Sequence, residues 1–317
     1  MSGSLYRRTT IAGRIPALRT HDACAPDQLR VAFQGERGAF SEEAAFRLCG
    51  PEINLVPRPT FEALFASISE HTADLVLAPL ENSLAGSVHR SYDLLLESSL
   101  HITAEVIVPI AHHLIGCSGA SLAGLRTVES HPVALAQCER FFQEHPHFKR
   151  LATADTAGSV AEIIKSGDLA RAAIAGQLAA KVHGGIILRE HLEDHPENYT
   201  RFVLLSDEPE VREGADKLSL AFKLQHRPAA LHYALVSFAR RGVNLLKIES
   251  RPVRGLPWQY HFYLDLQASI SDSKTAAALQ ELRGCAEDVR VLGCYPSAAR
   301  IVSSHRPEVK TERVGQS

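Results

Sequence analysis

From residue 29 to about residue 205 the chain repeats one unit: a short apolar run, a polar turn, and a stretch whose apolar residues recur at helical spacing. A short apolar run has the length of a buried strand, and a 3.6-residue spacing marks the inward face of a helix. Alternation of this kind predicts an α/β domain with helices packed on a mostly parallel sheet. Residues 29–33 form the first expected strand. Gly35 and Gly38 then make a tight loop into a helix near Ser41, which can cap it, while Glu42 and Glu43 suit its positive end. Phe61, Leu64, Phe65 and Ile68 share one helical face and read as core. Further strands are expected at 75–78, 128–130 and 172–175, and a strand pair at 102–108 and 112–116. Helices are expected at 134–142, 160–165 and 177–182.

A charged linker with Pro209 and Gly214 spans 207–216, and the texture changes beyond it. Leu218, Leu220, Phe222 and Leu224 alternate as a half-buried strand, and Leu231, Leu235 and Phe238 follow at helical spacing. Strands at 244–250, 260–266 and 289–294 with a helix at 276–286 complete a βαββαβ order, the ferredoxin-like arrangement. A chain of 317 residues, 45% apolar and 22% charged, has the size and composition for two ordinary cores. Its net charge of −2 offers no field for nucleic acid or for an anionic membrane surface. No apolar run nears the roughly 20 residues of a membrane span. Cys24, Cys49, Cys117, Cys138, Cys285 and Cys294 lack CxxC spacing, which points to reduced thiols in a cytoplasm. Within residues 1–28, Arg7, Arg8, Arg14 and Arg19 precede the first acid, Asp22. That composition fits a disordered bacterial leader or an organelle transit peptide, and the second would make the address a plastid.

Polar side chains gather where strands end, the edge at which open α/β sheets bind ligands. Glu81, Asn82 and Ser83 follow one strand, with Gly86 allowing close backbone approach. Ser130 closes another, and Gln137 lies in the helix after it, on a face that can look into a cleft. Asn198, Tyr199, Thr200, Arg201 and Phe202 lead into a further apolar run. There a hydroxyl, a guanidinium whose fork matches a carboxylate, and an aromatic ring arrive together. The loop from Gly35 to Ser41 offers backbone N–H groups to an anion, without the spacing of a dinucleotide fingerprint. His112 and His113, with His131, suggest a metal site, but neighbouring strand residues point to opposite faces, and no metal is expected.

Four stretches, in order, resemble the prephenate dehydratase family: Phe33-Gln34-Gly35-Glu36-Arg37-Gly38-Ala39-Phe40-Ser41, the run from Pro79-Leu80-Glu81-Asn82-Ser83 to Val88, Ser130-His131-Pro132 to Gln137-Cys138, and Thr200-Arg201-Phe202. Ile248-Glu249-Ser250-Arg251-Pro252 and Pro257-Trp258 resemble the regulatory ACT domain that commonly follows this enzyme. The resemblance covers about residues 29–299. It implies a two-lobed catalytic domain like a periplasmic binding protein over 29–206, with lobes 29–100 plus 190–206 and 101–189. An ACT domain over 217–299 and a tail over 300–317 would follow. The implied reaction is decarboxylating dehydration of prephenate to phenylpyruvate, with no metal or organic cofactor.

Residue by residue, the resemblance makes Thr200 the proton donor to the leaving hydroxyl, in a network with Asn82, Ser130 and Gln137. It places Arg201 on a substrate carboxylate, Phe202 as an apolar wall, Glu81 and Ser83 in orientation, and Gly38, Ala39 and Gly86 beside the substrate. Val133 stands where the family often has glutamine. The ACT domain is expected to bind phenylalanine through Ala229, Ala230, Leu231, Asn244, Leu245, Glu249, Ser250, Arg251 and Pro252. Ala229 replaces the usual glycine at the turn into the helix, which predicts weakened inhibition. A homodimer, or a tetramer of dimers, is expected. Arogenate dehydratase, whose substrate carries an amino group, and a non-catalytic amino-acid sensor remain open as alternatives.

Overall fold

The structure, a computed structural model, describes residues 28–298. The expected tail over 300–317, and the expected leader apart from residue 28, lie outside the described residues. Among the described residues no helix is long and apolar enough to cross a membrane.

The first sheet contains β1 (Arg30–Gln34), β2 (Asn54–Arg58), β3 (Leu75–Asn82), the short β4 (Gly86–Ser87), β5 (His101–Pro109) and β11 (Tyr199–Ser206), in the order β2-β1-β3-β11-β5 with β4 beside β3. Helices α1 (Phe40–Cys49), α2 (Phe61–Ala66) and α3 (His89–Glu97) pack on it. The second sheet contains β6 (His113–Gly116), β7 (Thr127–Ser130), β8 (Lys149–Ala152), β9 (Arg171–Ala175) and β10 (Ile186–Arg189), in the order β10-β6-β9-β7-β8. Its helices are α4 (Pro132–Ala136), α5 (Glu139–Glu144), α6 (Thr156–Ser166) and α7 (Gln177–His183).

Three expectations need correction. Both sheets are mixed: β1 runs parallel to β2 and β3, but β11 is antiparallel to β3 and β5, and β6 is antiparallel to β9 and β10. Residues 101–109 do not pair with 113–116. They pair with β11 in the first sheet, so the chain crosses between sheets after Pro109 rather than after residue 100. The helix expected at 134–142 is two helices, broken at Gln137, whose carbonyl accepts from the amide of Asp194. Asp194 also accepts from the amides of Glu139 and Arg140, which starts α5 afresh.

The third sheet holds β12 (Lys217–Lys223), β13 (Asn244–Pro252), β14 (Tyr260–Gln267) and β15 (Glu287–Tyr295), all antiparallel, in the order β13-β14-β12-β15. Helices α8 (Ala230–Ala239) and α9 (Ser273–Cys285) cover one face, over Leu218, Leu220, Phe222, Leu264 and Leu266. The opposite face packs on the first lobe: Ala221, Tyr263, Leu292 and Tyr295 share a core with Tyr92, Leu95 and Ile102. A Cβ on Gly293 would stand 2.1 Å from the carbonyl oxygen of Ile102, so only glycine lets β15 approach β5 this closely. Arg290 reaches across to donate to the carbonyls of Leu95, Leu96, Ser98 and Leu100, where α3 ends and its carbonyls lack helical partners. The C-terminal domain is thus docked through its open sheet face.

Candidate active site

A cleft of about 400 Å³ opens between the first two sheets. From the first lobe it is lined by Gln34, Ala39, Phe40, Ser41, Asn82, Thr200 and Phe202. From the second come His112, His131, Val133, Gln137, Asp155 and Thr156. Most of these residues stand where a strand ends or a helix begins.

Strand alternation decides which motif residues reach the cleft. Along β11, Thr200 and Phe202 line it, whereas the side chain of Arg201 lies on the opposite face, 8% exposed. There Arg201 donates to Glu105 at 2.7 Å, Asp265 at 2.5 Å and the hydroxyl of Tyr295 at 2.9 Å. Burial by itself would lower its pKa, but the Tyr295 hydroxyl oxygen and the carboxylates of Asp265 and Glu105 raise it well above the ordinary value. Burial works the other way on Asp265, and Arg201 and Lys217 hold that carboxyl below its usual range. Arg201 is therefore a clamp between the lobe and the C-terminal sheet, not the expected ligand of a substrate carboxylate. Glu81 behaves likewise. It pairs in register with Arg201, as Asn82 does with Thr200, and binds Lys247 of β13 at 2.8 Å.

The remaining expectations divide. Ser130 is buried and its hydroxyl donates to the Ile174 carbonyl at 2.6 Å, so it braces β7 against β9 outside the cleft. Ser83 staples two strand ends, donating to the carbonyl of Glu197 and accepting from the amide of Tyr199. Gly38, at φ +88°, seals the lobes: a Cβ there would stand 2.6 Å from Cα of Ala179. Gly86, at φ +82°, turns the chain into β4 with open space around it. Ala39 lines the cleft.

One hydrogen-bonded network runs through the cleft, and backbone donors fix its direction. Oδ1 of Asn82 accepts from the amides of Leu84 and Ala85, so its amide nitrogen must face the other way. From there it donates to Oγ1 of Thr200 at 3.0 Å and to Oδ1 of Asn198 at 2.8 Å. Asn198, fully buried, donates to Oε1 of Gln137 at 3.0 Å. Nε2 of His112 lies 2.9 Å from the same oxygen and so carries the imidazole proton. Burial lowers the pKa of His112, partly opposed by the Gln137 hydrogen bond, which keeps the ring neutral with a bare Nδ1. Oε1 of Gln137 thus serves two donors. The hydroxyl of Thr200 receives an N–H and donates to no group among the described residues.

The sequence reading missed Asn198 as a member of this network and set His112 aside with the metal. The available signal was Asn198 two residues before Thr200, the same strand face at that spacing.

A sequence model of the family described as prephenate dehydratase matches residues 31–210. The chain belongs to the prephenate dehydratase family. It is 39% identical over 285 residues to arogenate dehydratase/prephenate dehydratase 1, chloroplastic, of Arabidopsis thaliana, covering 85% of this chain and 72% of that one. The solved prephenate dehydratase of Arthrobacter aurescens in complex with L-Phe is 32% identical with a TM-score of 0.80, over 86% of this chain and 91% of that one. A solved protein described as GqqA, a novel type of quorum quenching acylase, is 34% identical with a TM-score of 0.79, over 86% and 99%. Family membership covers the catalytic lobes that hold the cleft.

Proposed function

We propose that the chain converts prephenate to phenylpyruvate, water and carbon dioxide. The observation that carries this reading is the hydrogen bond from Asn82 to Oγ1 of Thr200. A donated N–H stabilises negative charge developing on that oxygen, so the hydroxyl gives up its own proton more readily. The ring hydroxyl of the substrate leaves as water as Thr200 protonates it. The C–C bond to the ring carboxylate breaks, carbon dioxide departs, and the electron pair closes the aromatic ring. Phe202 and Phe40 supply the apolar surface on which the ring aromatises. The proton of Thr200 has no acceptor among the described residues. That suits donation to a leaving group and does not suit activation of the hydroxyl as a nucleophile, as an acylase would require. The test is incubation with prephenate, read as the ultraviolet absorbance of phenylpyruvate in alkali. No phenylpyruvate from folded protein would refute the assignment.

We read residues 217–298 as an ACT domain that senses phenylalanine, the ligand of the Arthrobacter relative. Ala229 holds φ +63°, the left-handed backbone that favours glycine, and α8 begins with Ala230 and Leu231. The turn therefore keeps its shape and carries an extra methyl. Asn244 and Leu245 open the exposed edge strand β13. Further along it, Glu249 and Arg251, expected at the effector, face the catalytic lobe instead. Glu249 accepts from Ser87 at 2.6 Å, and Arg251 binds Asp93 at 2.9 and 3.0 Å. Ser250 and Pro252 alternate with them on the other side of the strand. An effector at that side would touch the strand that grips β4 and the Asn82 turn.

A further inference from the structure

Asp155 carries an inference that rests on the dehydratase reading and extends it to the substrate's side chain. It is the N-cap of α6 and lines the cleft. Its Oδ1 accepts from the amide of Gly158 at 2.6 Å. Its Oδ2 sits across from Gly35, where an added Cβ would stand 3.0 Å from it, and accepts no hydrogen bond among the described residues. Gly35 follows the end of β1, and Thr200 lies on β11 with β3 between them. Two strand spacings, about 10 Å, separate β1 from β11 laterally. Gly35, two residues past the Phe33–Leu77 pair, also stops short of the Asn82–Thr200 pair along the strands, so the two positions lie farther apart still. In the substrate the ring hydroxyl and the three-carbon side chain sit at opposite ends of the cyclohexadiene ring. A molecule whose hydroxyl meets Thr200 accordingly points its side chain toward Asp155.

What Asp155 meets there depends on the side chain. The keto acid of prephenate offers only oxygens, which a carboxylate repels. The amino acid of arogenate offers an ammonium with three donors, which a carboxylate binds. No arginine or lysine lines the cleft among the described residues to offset the charge of Asp155. We propose that Asp155 is the specificity-determining residue for the side chain: it binds the α-ammonium of arogenate and sets how well that substrate competes with prephenate.

The test compares kcat/KM for prephenate and arogenate on the wild type and on Asp155→Asn, which keeps the capping oxygen and removes the charge. The wild type should turn over both substrates, and a wild type with prephenate activity but without arogenate activity would overturn the proposal. The variant should lose on arogenate and gain on prephenate, moving the ratio by about tenfold or more, the scale of one charge-assisted hydrogen bond. Calorimetric Kd values for both substrates on Thr200→Ala, with and without Asp155→Asn, should move in the same sense. A ratio unchanged within about threefold, or an equal loss on both substrates with a lower Tm, would reduce Asp155 to a helix cap and overturn the proposal. Wild type that turns over neither substrate would instead overturn the dehydratase reading beneath it.

Discussion

Thr200 and Arg201 are sequence neighbours with separate tasks, because adjacent strand residues face opposite ways. Thr200→Ala should leave the fold and substrate Kd intact and lower kcat by ~10²–10⁴-fold, while Thr200→Ser keeps substantial turnover. Near-normal turnover in the alanine variant would remove Thr200 from the mechanism. Arg201→Met should act differently. It strands Glu105 and Asp265 as a buried acidic pair beside Lys217, so about 3–5 kcal/mol of stability should be lost, seen in urea melts. A variant with unchanged stability and a raised KM would restore the carboxylate role. His112 predicts a pH effect. Its folded pKa lies below the ordinary 6.5, so the unfolded chain binds the extra proton first. The stabilising contribution is complete above about pH 6.5 and fades as pH falls below it toward the folded pKa. Subtracting the Tm–pH curve of His112→Gln from that of the wild type should isolate this loss, and parallel curves would contradict it.

Elements matter here by what their two faces touch. β3 and β11 give the cleft Asn82 and Thr200, and give the C-terminal domain Glu81 and Arg201. β13 meets Glu81 with Lys247, Ser87 of β4 with Glu249 and Asp93 of α3 with Arg251, while Asp265 of β14 and Tyr295 of β15 meet Arg201. Docking depends on the close approach of β15 to β5, so Gly293→Ala should force those backbones apart. Overpacking of this kind costs about 1–3 kcal/mol, and faster proteolytic cleavage within 207–216 should accompany it. Cleavage and Tm equal to wild type would mean the contact is dispensable. At the turn into α8, Ala229→Gly relieves a left-handed alanine while adding freedom to the unfolded chain. These oppose each other, so stability should change by less than about 1 kcal/mol. Inhibition by phenylalanine should strengthen, and an inhibition curve identical to wild type would show that the methyl is harmless.

At the scale of the whole molecule, one apolar core runs through both catalytic lobes. Phe33 and Leu77 of the first share a cluster with Val160 and Ala179 of the second. His183 also donates to the carbonyl of Arg37 across the seam at 2.8 Å. A further surface feature is the edge of β13, where Leu245, Leu246 and Ile248 are exposed beside backbone groups that meet no further strand among the described residues. An open apolar edge invites a second copy. Light scattering at micromolar concentration should give a dimer or a multiple of it, and Leu246→Glu should shift the mass toward monomer. A monomeric wild type would count against this pairing.

From the sequence alone came the alternation of strands and helices in the first domain, though not its strands at 54–58, 149–152 and 186–189, together with the βαββαβ order of the second and the motifs that lead to Thr200, Asn82 and Gln137. Each is written in local periodicity or in a short contiguous string, which backbone geometry converts directly into strand, helix or turn. Only the tertiary structure decided which motif residues reach the cleft. Arg201, Glu81 and Ser130 have the chemistry of a site, but their partners Asp265, Lys247 and Ile174 lie 44 to 166 residues away, and no local pattern announces them. Likewise β5 and β6 look like a hairpin in sequence, and only the pairing of β5 with β11 assigns them to different sheets. Asn198 joins the network for the same reason: its place between Asn82 and Gln137 follows from strands meeting in space, where burial obliges every polar group to find a partner.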